Sequence, residues 1–231
     1  MPGSRTRIEG FTLIELLIVV AIIAILALIA VPNFLEAQTR AKVSRVKSDL
    51  RSLATAIEAY RVDWNSYTNY DPASPTQPLS GWRQLTTPVA YITSLPRDPF
   101  GTSKYRTGNV TRVLPALYEL GTGVGGVGRA GPVWSPKEGF PSSTWEMNSN
   151  GPDNFDDTNT PDNCPGHQYR WSDSRYPWVD IPADSPDAVA EILTLIYDPT
   201  NGTISTGEIF RAGGEKPPGR MFDVFFALTS K

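Results

Sequence analysis

Two sets of residues in this chain have the types and spacing that do chemistry. The first is a lone carboxylate, Glu15, in the run Phe11-Thr12-Leu13-Ile14-Glu15-Leu16-Leu17-Ile18-Val19-Val20; from Phe11 to Val31 only Thr12 and Glu15 are polar. Hydrocarbon tolerates an ionised acid that snorkels to the interface or that pairs with a cation. Glu15 lies near the edge of the run, so both readings stay open: a snorkelling acid on a simple anchor, and an acid awaiting a positive partner. The second set is Trp145 to Thr158, which gathers Asp153, Asp156 and Asp157 with Asn148, Asn150, Asn154 and Gly151. Calcium takes about six to eight oxygens from carboxylates and carbonyls in flexible loops of this kind. The spacing is not that of an EF-hand, and a solvated turn rich in Asx hydrogen bonds has the same composition.

Other constellations lack parts. Cys164 and His167 form Cys-Pro-Gly-His, two ligands of different kinds, where zinc takes about four. His167 is the only histidine and no Gly-x-Ser-x-Gly elbow accompanies it, so a Ser-His-Asp triad is incomplete. Gly123-Val124-Gly125 has no strand-then-helix context and reads as a flexible loop rather than a nucleotide cradle. No enzyme is expected. Trp134, Trp145, Trp171 and Trp178 either line a carbohydrate or protein surface or pack in a core.

The elements that must carry these residues follow from patterning. At about 1.5 Å per residue, Phe11 to Val31 makes a helix about 31 Å long, enough for a bilayer core of about 30 Å. The short polar Met1–Gly10 carries Arg5 and Arg7, which hold the amino end in the cytoplasm while the bulk is exported. Ordinary signal cleavage fits badly, because cuts after Ala24, Ala27 or Ala30 place Ile22, Ile25 or Leu28 at the minus-three position. Pro32 should kink or melt the helix at Val31 to Asn33. Beyond Ala41 the residues Val43, Val46, Leu50, Leu53, Ile57, Tyr60 and Trp64 form one apolar stripe, opposed by Arg45, Lys47, Asp49, Arg51 and Glu58. This half should dock on a sheet.

After Tyr67 the chain turns to loop chemistry, with an extended connector at Tyr70 to Pro78 and a short helical turn at Trp82 to Leu85. Ala190 to Tyr197 and Thr203 to Phe210 flank Asn201-Gly202 as a hairpin, and Phe222 to Leu228 reads as a final strand. The 21 prolines and 19 glycines favour turns and short strands over long helices in the second part. A net charge of -3 gives no basic excess, so no nucleic acid partner is expected. Cys164 stands alone, so stability must come from packing or metal rather than an internal disulfide.

Gly10-Phe11-Thr12-Leu13-Ile14-Glu15, then an apolar run, Pro32 and an amphipathic helix, resembles the class III signal of type IV pilins and type II secretion pseudopilins. Glu9 departs from the basic residue usual before the Gly. Leu95-Pro96-Arg97-Asp98-Pro99-Phe100-Gly101 is similar to a segment of the major pseudopilin that enters the first strand, which here would include Tyr105. Order and combination favour the pseudopilin over the pilus reading.

The resemblance implies an α+β fold: one long N-terminal transmembrane and amphipathic helix packed on a small antiparallel sheet, with extended loops. It implies a leader at 1–10, a transmembrane helix at 11–31, its amphipathic continuation at 32–65 and an exported pilin-like domain at 66–231. Prepilin peptidase would cut between Gly10 and Phe11 and methylate the new amine. Glu15 would then pair with that amine on a neighbouring subunit as homo- or hetero-polymers with other pseudopilins form on an inner-membrane assembly platform. The domain would sit in the periplasm or envelope. Major pseudopilins also carry a Ser-x-Gly-x-Asp loop and an Asp pair around a structural calcium, which maps onto Ser149, Gly151, Asp153, Asp156 and Asp157 with the Asn150 carbonyl; the gap before the pair is shorter here. Thr158 to Lys231 lies outside the resemblance. A membrane-tethered binding module with a pilin-type anchor is the alternative.

Overall fold

The computed structural model describes residues 11–68, 81–101, 104–107, 110–113, 117–122, 143–153, 193, 196–200, 207–216 and 220–230. Helix α1, Leu13–Trp64, is 52 residues long and continuous. It stays helical through Pro32, so the turn at Val31 to Asn33 is not melted. Proline removes one amide donor, and the bonds of the adjoining turns are enough to carry the helix across that gap. The chain divides into two compact units, Met1–Thr39 and Arg40–Lys231. In the first, the apolar side chains from Leu13 to Leu35 are exposed, and α1 is long and apolar enough to cross a membrane.

In the second unit α1 buries the expected stripe of Val43, Val46, Leu50, Leu53 and Ile57, joined by Ala54 and Ala56. Trp64 departs from it: the ring is exposed, stacked on Tyr60 and donating its Nε1 hydrogen to Tyr91 Oη at 3.0 Å. A 3₁₀ turn spans Trp82–Leu85 as expected and buries Trp82 and Leu85. Strands β1 (Lys104–Thr107, containing Tyr105) and β2 (Val110–Val113) form an antiparallel pair of their own. The main sheet is antiparallel in the order β3 (Glu119–Thr122), β4 (Thr144–Ser149), β5 (Ile209–Gly214). The α+β class therefore holds.

Register decides what each sheet face meets. Trp145, Met147 and Ser149 share one face with Gly213, Arg211 and Ile209. Trp145, Met147 and Ile209 join the α1 stripe in a single core. A Cβ at Gly213 would stand 2.4 Å from the Trp145 ring, so glycine is required for the indole to lie across β5. The other face carries Thr144, Glu146 and Asn148 with Phe210 and Ala212, and it too is buried. Helix α2, Arg220–Thr229, covers part of it, Phe225 meeting Phe210 edge to face at 5.4 Å.

Three expectations change. Trp145 to Ser149, expected as loop, is the central strand. With both faces covered, its polar residues Glu146 and Asn148 are buried as well, and the usual inside-outside alternation is lost. Phe222 to Leu228, expected as a strand, is helical, and it turns Phe225, Phe226 and Thr229 inward and Asp223 and Leu228 outward. The hairpin expected over Ala190 to Phe210 is not one: Ile196 bridges Glu208 in parallel, and β5 pairs with β4 instead. A two-residue turn joins antiparallel strands only. Asn201 and Gly202 lie outside the described residues, as do Tyr70 to Pro78.

Candidate functional site

The amino-terminal site is built on the first turn of α1. Thr12 precedes the helix and Glu15 is its third residue. The Thr12 amide and hydroxyl both donate to Glu15 Oε2, at 2.9 and 2.7 Å, and the Glu15 amide donates to Thr12 Oγ1 at 3.3 Å. This is a reciprocal capping box, in which two helix-start donors find side-chain acceptors. The Thr-x-x-Glu spacing carries this signal in the sequence, and reading Glu15 alone misses Thr12. Both donors fall on Oε2, so Oε1 can accept a further positive group. Phe11 is exposed just before the helix, and Gly10 lies outside the described residues.

The acidic stretch forms a different kind of site. Ser149 closes β4, Asn150 follows it, and Gly151, Pro152 and Asp153 make the turn. Gly151 has φ +71 and a Cβ there would stand 2.3 Å from the Gly207 carbonyl oxygen, so both conformation and space demand glycine. Asn150 is buried and Asp153 exposed, and the two share this turn; Asp156 and Asp157 lie outside the described residues.

Asp98, 51 residues before Ser149, reaches the same turn from the Leu95–Gly101 segment. Its Oδ1 accepts the Ser149 hydroxyl and the Phe100 amide, each at 2.8 Å, and its Oδ2 is buried with no hydrogen-bond partner. Burial raises the Asp98 pKa, opposed by hydrogen bonds from the Phe100 amide and the Ser149 hydroxyl. Asn150 and Asp153 in this turn carry oxygen atoms of the kind calcium takes. Among the described residues no group of three or more His, Cys, Asp or Glu side chains is placed to hold a metal ion.

The remaining candidates are placed plainly. Trp145 is 3% exposed and donates to Glu58 Oε1 at 2.6 Å, so it belongs to the core and not to a ligand-binding surface. Trp134, Trp171, Trp178, Cys164, His167 and Gly123 to Gly125 lie outside the described residues.

Residues 5–31 match the family model described as the prokaryotic N-terminal methylation motif. The chain is 50% identical over 64 residues to the type IV major pilin protein PilA of Myxococcus xanthus, covering 28% of this chain and 29% of that one. It is 35% identical over 103 residues to the type II secretion system core protein G of Pectobacterium carotovorum, covering 43% and 66%. With the core protein G of Pseudomonas aeruginosa the identity is 32% over 127 residues, covering 51% and 86%. The chain thus spans less than a third of the Myxococcus pilin and just under two thirds of the Pectobacterium protein. No solved structure matches it. A methylation motif at the amino end, a long apolar helix leading an α+β domain, and alignment along most of the Pseudomonas protein together place the chain in the pseudopilin family of type II secretion core protein G.

Proposed function

We propose that this chain is a structural subunit of a type II secretion pseudopilus or pilus-like filament. Residues 1–10 act as the leader, removed by prepilin peptidase between Gly10 and Phe11 with methylation of the new Phe11 amine. Residues 11–31 hold the subunit in the bacterial inner membrane, 32–65 continue the helix, and 66–231 form the exported domain in the periplasm. On the assembly platform the subunit leaves the bilayer and joins other pseudopilins, its Glu15 pairing with the Phe11 amine of a neighbour. The observation that carries this reading is the placement of a single acid, oriented by Thr12, in the first turn of a helix whose apolar side chains from Leu13 to Leu35 are exposed. Charges persist in hydrocarbon chiefly when paired. Calcium at the turn from Asn150 to Asp157 serves as a structural staple, with Asn150, Asp153, Asp156 and Asp157 as its holders.

Amino-terminal sequencing and intact mass of the chain purified from membranes test the core of this reading. The expected product begins at Phe11 and is one methyl group heavier than the unmodified peptide. A mature chain that still begins at Met1 overturns it.

A further inference from the structure

Beyond its apolar run, α1 is strongly basic. From Glu36 to Arg51 it carries Arg40, Lys42, Arg45, Lys47 and Arg51 against two acids, Glu36 and Asp49, and all five basic residues are exposed. Lys42 holds its ammonium 5.6 Å from the centre of the Phe100 ring, and Arg45 meets Asp49 at 3.6 Å with its side chain still 62% exposed. The orientation bias of membrane spans counts Lys and Arg within about 15–20 residues of each end and keeps the richer side in the cytoplasm. Here Arg5 and Arg7 are outnumbered by the five on the side that the filament reading exports. These charges oppose export, which calls for an interaction on the far side that offsets the cost.

Spacing along the helix says which of them a bilayer surface can reach. Leu35 is the last exposed apolar residue of the run. At about 1.5 Å per residue, Arg40, Lys42 and Arg45 stand about 8, 10 and 15 Å further along, and Lys47 and Arg51 about 18 and 24 Å. Helical side chains lean towards the N-terminus, here towards the apolar run, and long basic stems extend that reach. With a Debye length of about 8 Å at physiological salt, the first three fall within the field of a charged surface and the last two do not.

We propose that Arg40, Lys42 and Arg45 form a docking surface for anionic phospholipid headgroups in the leaflet on the exported side. The inference rests on the membrane-inserted reading above and adds the lipid class that the waiting subunit gathers. Polybasic segments beside a span bind anionic lipid, and each basic side chain near the surface contributes about a fivefold gain.

The test uses the full chain in dodecyl maltoside micelles with equal amounts of phosphatidylglycerol and phosphatidylcholine of the same acyl chains, and native mass spectrometry reads which lipid stays bound. Phosphatidylglycerol should lead by about tenfold or more at low salt, and the lead should shrink as sodium chloride is raised. Arg40→Gln should cut the preference about fivefold, and Arg40→Gln with Lys42→Gln and Arg45→Gln should abolish it. Arg40→Lys with Arg45→Lys keeps the charge and should keep the preference, as should Lys47→Gln with Arg51→Gln. Equal retention of the two lipids by the wild type overturns the proposal, and so does an unchanged preference in the triple variant. Loss of phosphatidylglycerol to millimolar sodium phosphate overturns it as well, because the three residues then take a free anion and not a bilayer surface. Dimers that dissociate in the triple variant while its lipid preference persists assign the surface to a second copy of the chain, which also overturns it. A chain that still begins at Met1 in cells but shows the preference in micelles fails the filament reading and leaves this proposal standing.

Discussion

Glu15 is tied down within its own chain before any partner arrives. Two donors from Thr12 hold Oε2 and orient the carboxylate, so an incoming amine meets an acceptor already in place at Oε1. Replacing it should separate insertion from assembly: Glu15→Ala is expected in the membrane fraction but absent from sheared filaments. Normal filament incorporation of that variant would remove the pairing. A second residue-scale expectation concerns alkaline pH. Burial and the Glu58 carboxylate push the Tyr67 pKa up to about 12 from the ordinary tyrosine value of 10.0. The folded chain therefore holds that proton more tightly than the unfolded one, and the stability this contributes is full below pH 10 and lost as pH rises towards 12. Urea midpoints measured across that interval should fall less steeply for Tyr67→Phe than for wild type. Tyr118, also raised by burial and by its bond to Asp49, keeps some slope in both.

Among the elements, α1 carries two surfaces on one rod: apolar exposed side chains from Leu13 to Leu35, and the buried stripe from Val43 to Ile57. The stripe is not the only link to the domain. Glu58 accepts from the Trp145 indole and the Tyr67 hydroxyl, and Asp49 accepts from the Tyr118 hydroxyl at 2.9 Å, so acids of the polar side tie α1 to the sheet and to the segments beside it. Helix α2 lies in the stretch from Thr158 to Lys231, outside the motifs that carry the resemblance to major pseudopilins. Its Phe225 fills the second sheet face against Phe210 and Phe226. Phe225→Ala should destabilise the full chain in micelles by about 3–5 kcal/mol, the usual range for removing a buried Phe. Chemical denaturation reads it, and a loss below about 1 kcal/mol would mean that α2 is not an integral layer.

For the whole molecule, the question is what holds residues 40–231 together when a single cysteine allows no internal disulfide. Cys164 has no partner cysteine, and the sheet of β3, β4 and β5 is small. A cation bound by residues of the 149–157 stretch would contribute about 2.7 kcal/mol at a hundredfold excess over Kd. At about 2–4 °C per kcal/mol for a chain of this size, EGTA should lower the melting temperature by about 5–10 °C. An unchanged melting curve, with no calcium in mass spectrometry of the purified protein, would leave packing as the sole support.

The amino-terminal half is legible in the sequence because its physics is local. The three-four stripe and the turn at Trp82 each depend on neighbours within a few residues, and apart from Trp64 the structure places them where that spacing requires. The rest depends on partners distant in the chain. Trp145 to Ser149 reads as loop because Glu146 and Asn148 interrupt its apolar pattern, and only its place between β3 and β5, with both faces buried, makes it the central strand. Phe222 to Leu228 is an apolar run of a length shared by strands and helices, and the Phe225-Phe226-Thr229 face becomes visible once Phe210 is known to lie opposite. Asp98 and Ser149 are 51 residues apart and nothing local joins them. Their meeting is a product of tertiary packing, which alone selects which polar side chains must satisfy one another away from water.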